Sequence, residues 1–63
     1  MNNKTLQFVA EAIRDNYEYS LDDSIEIVTN SFLPELLKEL PDYVTHYDAE
    51  YWASEIMSDI MAR

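Results

Sequence analysis

The absence of glycine constrains the fold of this 63-residue chain more than any other feature of its sequence. Glycine takes positive φ at the lowest cost, and the tight turns of β-hairpins commonly depend on it. Without glycine, the chain is expected to form short helices joined by polar connections. The sequence therefore predicts an all-α fold: a small compact bundle of three to five short helices, built as a single domain over residues 1–63.

The first predicted helix covers about Lys4 to Asn16 and has an apolar stripe at helical spacing. Asn2 or Asn3 is predicted to cap its start, and Asn16 is predicted to end it in a left-handed conformation. The stripe consists of Leu6, Val9, Ala10, Ile13 and Tyr17. Phe8 lies off this stripe, which indicates a second contact surface on the same helix.

The second predicted helix runs from about Leu21 to Thr29, with Ser20 as its N-cap and Asn30 at its end. Its inner face is predicted to consist of Leu21, Ile25 and Val28. Residues 25–28 also alternate like a strand. No second strand is available to pair with them, so the helix is the preferred interpretation.

Two prolines frame the third predicted helix, which runs from about Pro34 to Leu40. Pro34 suits the first helical position and is expected to push Leu33 out of the α region, whereas Pro41 is expected to end the helix. The inward residues are predicted to be Leu36, Leu37 and Leu40. Residues 41–47 are less clearly patterned and are compatible with one helical turn that begins at Pro41.

The last predicted helix extends from Asp48, its N-cap, to Arg63. Its apolar positions follow helical spacing and are Ala49, Trp52, Ala53, Ile56, Met57, Ile60 and Met61. This segment holds the only tryptophan and two of the three methionines of the chain. It is therefore expected to be either the centre of a very small core or a surface for a partner.

Charge and composition limit the classes of partner. Thirteen acidic residues and four basic ones give a formal net charge of −9, which disfavours nucleic acid and anionic membranes and favours a basic protein surface. There is no cysteine, no apolar run of about 18–20 residues and no signal peptide, so a cytoplasmic location is predicted. A domain this small often needs a partner for stability, and a homodimer is one possibility.

No constellation in the sequence predicts catalysis, a metal site or a cofactor. His46, Asp48 and Glu50 alternate and could hold a divalent ion in an extended segment, but Asp48 is better explained as a helix cap. No serine lies in a strained nucleophile turn, and phosphate-binding loops need glycine. The chain is therefore predicted not to be an enzyme and to have no cofactor.

Two groups of residues are the candidate partner surface. The aromatic group is Tyr43, Tyr47, Tyr51 and Trp52, and the acidic group is Asp22, Asp23 and Glu26. Tyrosine and tryptophan combine large contact area with a polar tip, which suits interfaces. Two simpler interpretations remain open: the aromatic residues could cover a thin core, and the acidic residues could only keep the domain soluble.

Two stretches also carry a family resemblance. They are Asn3-Lys4-Thr5-Leu6-Gln7-Phe8 and His46-Tyr47-Asp48-Ala49-Glu50-Tyr51, the latter followed by Glu55-Ile56. These stretches resemble short, uncharacterised helical proteins of Firmicutes that are often encoded in cassettes like toxin–antitoxin or phage-defence operons. The resemblance implies a small bacterial α-helical partner protein and carries over no catalytic residue.

The sequence thus predicts a small acidic protein–protein interaction module that binds or regulates another protein. The alternative is an inhibitor that mimics nucleic acid and occupies the basic groove of a nucleic-acid-binding protein. A contiguous acidic face would favour mimicry, and an even scatter of acids would disfavour it. The face in question consists of Asp22, Asp23, Glu26, Glu35 and Glu39.

Overall fold

The computed structural model describes residues 4–62, and this range contains five α-helices and no strand. The helices are α1 (Lys4–Tyr17), α2 (Leu21–Thr29), α3 (Leu33–Glu39), α4 (Pro41–His46) and α5 (Ala49–Met61). The predicted all-α bundle of three to five helices is confirmed. The predicted caps Asn2 and Asn3, and Arg63 at the predicted end of the last helix, lie outside the described residues.

Helix α1 is the central element because it packs against both α2 and α5, while α3 packs against α4 and α2. Its buried residues recur at helical spacing and meet those of the other helices in one core. The core consists of Val9, Ala10, Ala12, Ile13, Val28, Leu33, Val44, Trp52, Ala53, Ile56 and Met57. Among the helices of residues 4–62, none is long and apolar enough to cross a membrane.

The rotation of α2 differs from the prediction. Ser24 and Val28, four residues apart, are fully buried or nearly so and mark the buried line of this helix. Ile25, predicted to face inward, is 40% exposed because it lies about 100° around the helix axis from Ser24.

The predicted caps are confirmed: the Ser20 hydroxyl accepts a hydrogen bond from the Asp23 N–H at 3.1 Å, and Asn30 ends the helix.

Helix α3 begins one residue before the predicted start, and Leu33 is not pushed out of the helix as predicted. Leu33 is its first helical residue, with Pro34 in the second position, and Leu33 is buried in the core. Leu40, predicted to face inward, lies beyond the end of α3 and is exposed. The Ser31 hydroxyl explains the early start, because it accepts from the Leu33 N–H at 3.2 Å and donates to the Val28 carbonyl at 2.6 Å.

Pro41 follows the end of α3 and also begins the next helix. Pro41 opens α4, so the predicted helical start at Pro41 is confirmed, but the six residues of α4 extend beyond the single turn that was predicted. In α5 the predicted apolar face is buried as far as Met57, whereas Ile60 and Met61 are exposed. A core of this size is too small to cover the last turn of α5.

The connection between α1 and α2 contains the only residue with positive φ in the described part of the chain. This residue is Glu18, with φ of 62°, and not Asn16 as predicted. Helix α1 continues through Tyr17, and the Asn16 side-chain amide donates to the Ala12 carbonyl at 2.9 Å. A left-handed conformation costs about 1–2 kcal/mol for a residue with a Cβ atom.

Glu18→Gly is therefore expected to raise the free energy of unfolding by about 0.5–1 kcal/mol, because the relief of strain exceeds the added entropy of the unfolded chain. The measurement is urea unfolding followed by far-ultraviolet circular dichroism. Glu18→Ala is the control, since it removes the same charge and keeps the strain. Equal stabilisation by both variants would assign the effect to charge and contradict the prediction.

Candidate functional site

Trp52 is the buried centre of an aromatic cluster where α4 meets α5. Its side chain is 3% exposed, and its indole N–H donates to the Val44 carbonyl at 2.8 Å. Phe32, at the start of α3, contacts the indole edge-on with ring centroids 6.3 Å apart. Trp52 was predicted as part of a partner surface, but the structure places it in the core beneath the tyrosines.

The three predicted tyrosines lie together over Trp52 and are exposed. Tyr43, Tyr47 and Tyr51 are 47%, 37% and 36% exposed, respectively. The rings of Tyr47 and Tyr51 stack with centroids 4.3 Å apart, and Tyr43 meets Tyr47 edge-on at 5.6 Å. All three rings contact the indole of Trp52 edge-on, at 4.9–5.9 Å. We call the surface formed by Tyr43, Tyr47 and Tyr51 the tyrosine face.

Local sequence explains how the tyrosine face forms. The three tyrosines are four residues apart, and Tyr47 is an extended residue between α4 and α5. The Asp48 carboxylate caps α5 by accepting from the Tyr51 N–H at 2.9 Å, as predicted. This cap begins α5 directly after Tyr47, so Tyr51 lies in the first turn of α5, and its ring stacks on that of Tyr47.

Phe8 extends the apolar surface beside the tyrosine face. It is exposed on α1 and lines a small cavity of about 210 Å³ together with Tyr47 and Trp52. Phe8 was not among the predicted site residues. Its position off the apolar stripe of the first helix was the signal in the sequence that pointed to it.

The Tyr51 hydroxyl has a perturbed titration. Partial desolvation by neighbouring groups raises the pKa of Tyr51 above its ordinary value of 10.0, and the Glu55 carboxylate raises it further. Tyr43 and Tyr47 have smaller effects in the same direction. Since the pKa of the folded state lies above that of the unfolded state, the resulting stabilisation is present below pH 10 and is lost as the pH rises through the folded pKa.

We expect Glu55→Gln to lower the pKa of Tyr51 without restoring its ordinary value, because desolvation is the larger cause. The measurement is a carbon-detected NMR titration of the tyrosine rings. Glu50→Gln is the control, since Glu50 lies in the first turn of α5 and is not among the causes of the shift. An unchanged pKa in Glu55→Gln would contradict the prediction.

The predicted acidic residues are exposed on α2, and two of them line a cleft. Asp23 and Glu26 face a cleft of about 460 Å³ whose opposite wall is the last part of α5. We call it the acidic cleft, and the side chains that define it are Asp23, Glu26, Asp59, Ile27, Ile56 and Ile60. Asp22 lies about 100° around α2 from Asp23 and does not line the cleft.

The structure does not join the two predicted groups into one site. Tyr51 lies in the first turn of α5, and Ile60 of the acidic cleft lies in the last. Nine residues of helix separate them by about 13 Å along the axis. The tyrosine face and the acidic cleft are therefore separate surfaces at opposite ends of α5.

Within residues 4–62, no three side chains of histidine, cysteine, aspartate or glutamate are grouped in a way that could hold a metal ion. His46 ends α4 and its ring contacts Tyr47 edge-on at 4.9 Å, while Asp48 caps α5. These two residues therefore contribute to the aromatic cluster and to its geometry.

The sequence and fold were also compared with known proteins. No family model matches the chain, and no curated protein or solved structure is significantly similar to it. The resemblance to helical proteins of Firmicutes accordingly stays a prediction.

Proposed function

We propose that this chain is a protein–protein interaction module that binds a partner protein through the tyrosine face. The observation that carries the proposal is the exposure of three tyrosine rings that are already in contact with one another. Tyrosine has large contact area and few torsions, so it is enriched at interfaces. This is a binding role, and no catalytic step is part of it.

The buried indole supports the proposal because it orders the tyrosines before any partner arrives. Each ring of the tyrosine face contacts Trp52, whose orientation is set by its hydrogen bond to Val44. Side chains that are ordered in the free protein lose less conformational entropy on binding. Phe8, beside Tyr47, adds apolar area at the edge of the same surface.

The formal net charge of −9 favours a partner with a basic surface. Opposite charge would speed association and make it depend on salt. A homodimer is the alternative occupant of the tyrosine face, although like charges would oppose it. A cytoplasmic setting, expected from the absence of cysteine, belongs to the same proposal.

Mimicry of nucleic acid is the alternative function, and it needs a continuous acidic face. Two of the acids considered for it, Asp23 and Glu26, border a cleft that also presents isoleucines. A mixed acidic and apolar surface suits a protein segment better than a groove shaped for phosphates. This observation favours the interaction module.

The test is affinity capture from a cell extract with the wild-type chain and two variants. Tyr47→Ser/Tyr51→Ser removes the stacked pair, and Leu40→Ser is the control because Leu40 is an exposed apolar residue outside the tyrosine face. A protein retained by wild type and Leu40→Ser but lost by the tyrosine variant is the expected result. Equal capture by all three proteins would overturn the proposal.

Light scattering with the same proteins tests whether a second copy of this chain binds to the tyrosine face. A wild-type dimer at every salt concentration that becomes a monomer in Tyr47→Ser/Tyr51→Ser would assign the tyrosine face to self-association. A monomer at every salt concentration leaves the surface to a foreign protein. A monomer that also captures nothing would contradict the interaction role altogether.

A further inference from the structure

We propose that the acidic cleft is a second docking site, which receives a basic amphipathic helix of a partner protein. The occupant would place apolar side chains on the isoleucines and lysine or arginine side chains against the carboxylates of Asp23 and Glu26. The inference rests on the proposed function in one respect, since it takes the occupant to be part of a protein. It concerns a different surface from the tyrosine face.

The walls of the acidic cleft are helix faces with matched spacing. On α2, Asp23, Glu26 and Ile27 follow at i, i+3 and i+4, and on α5 the same spacing holds for the residues Ile56, Asp59 and Ile60. Residues at this spacing share one side of a helix. Each wall therefore presents both carboxylate and isoleucine, and the two walls face one another.

The apolar part of the acidic cleft gives the occupant something to bury. Ile60 is exposed and Ile27 is half-buried, while Ile56 is buried at the base. The volume of about 460 Å³ is within the range that side-chain-sized and small-ligand pockets occupy. A helix with an apolar stripe at i, i+3, i+4 and i+7 can place such side chains in a groove.

The charge of the acidic cleft selects a basic occupant. Two exposed carboxylates of α2, those of Asp23 and Glu26, line it, and among residues 4–62 no lysine or arginine does. Asn30, the C-cap of α2, and Ile60, in the last turn of α5, also line it, so the C-terminal ends of two helices face the cleft. Helix C-termini carry partial negative charge and add to the attraction for cations.

The probe that tests this inference is a synthetic peptide of about 14 residues, or four helical turns, with leucine at i, i+3, i+4 and i+7 and lysine elsewhere. A peptide of the same composition without this periodicity is its control. Binding is followed by titration calorimetry and by NMR of the isoleucine methyl groups and the tyrosine rings. The periodic peptide is expected to bind more tightly and to shift the methyl signals of Ile27 and Ile60.

Two double variants that each remove two negative charges distinguish binding in the acidic cleft from general attraction by the net charge of the protein. Asp23→Asn/Glu26→Gln is expected to weaken binding of the periodic peptide roughly tenfold, as two lost ion pairs would. Asp42→Asn/Glu50→Gln removes two exposed acids next to the tyrosine face. This variant is expected to weaken binding of the periodic peptide less than about threefold. Ile60→Asn changes no charge and is expected to weaken binding as strongly as the first double variant.

Three results would overturn the inference: equal weakening by the two double variants, equal affinity for the two peptides, or no binding of the periodic peptide. Shifts confined to the rings of Tyr43 and Tyr47 would also overturn it, while the proposed function would stand. Conversely, the tyrosine variant is expected to lose partner capture and to keep peptide binding in the acidic cleft. The failure of one proposal is therefore distinguishable from the failure of the other.

Discussion

Trp52→Ala is expected to unfold the domain. Truncation of a buried tryptophan costs about 3–5 kcal/mol, and a chain of this length is expected to have a total stability of about the same size. The indole also contacts every ring of the tyrosine face, so its loss removes support from that surface. The measurement is far-ultraviolet circular dichroism with urea unfolding, which needs no tryptophan signal.

Trp52→Phe is the matched variant, because it keeps an aromatic ring and removes the indole N–H. The Val44 carbonyl then loses the hydrogen bond that it accepts from the indole N–H at 2.8 Å. The expected cost in the free energy of unfolding is about 1–3 kcal/mol. We expect Trp52→Phe to stay folded with reduced stability. If Trp52→Ala retained the helical signal and lost less than about 1 kcal/mol, the central role of Trp52 in the core would be refuted.

The parts of the fold that were predicted correctly depend on short-range interactions. Ser20 and Asp48 cap their helices through bonds to backbone N–H groups three residues later, and both caps were evident from the sequence. The proline-initiated α4 has the same local origin. In each case the residues that decide the structure are adjacent in the chain, so the sequence pattern is sufficient.

The errors arose where the sequence pattern is compatible with more than one arrangement. The apolar residues of α2 permit two rotations, and packing selected the one that buries Ser24 and exposes Ile25. At the end of α1, Asn16 bonds to Ala12, which leaves the left-handed conformation to Glu18. Neither choice follows from spacing alone, because each alternative satisfies the same helical period.

The candidate surfaces show the same division. The tyrosine face was predicted as a group because its members are four residues apart, whereas the burial of Trp52 depends on the angle between α4 and α5. The acidic cleft is lined by Glu26 and Asp59, which are far apart in sequence. A site built from distant segments has no signature in local spacing, so only the fold reveals it.

Leu33→Ala is expected to lower the free energy of unfolding by about 2–5 kcal/mol, whereas Leu40→Ala is expected to change it by less than about 0.5 kcal/mol. The two leucines lie at opposite ends of α3 and lose the same atoms on substitution. Leu33 is 0% exposed and Leu40 is 52% exposed, so only the first leaves a cavity. Urea unfolding of both variants measures the difference.

This pair of variants tests the start of α3. If α3 began at Pro34 with Leu40 inward, the larger loss would fall on Leu40→Ala. The Ser31 hydroxyl argues for the opposite result, because its bonds to Leu33 and Val28 connect the end of α2 to a helix that starts at Leu33. Ser31→Ala is thus expected to lower the free energy of unfolding by about 1 kcal/mol. Leu33→Ala is expected to lower it further, because the buried Leu33 side chain contributes more free energy than one hydrogen bond.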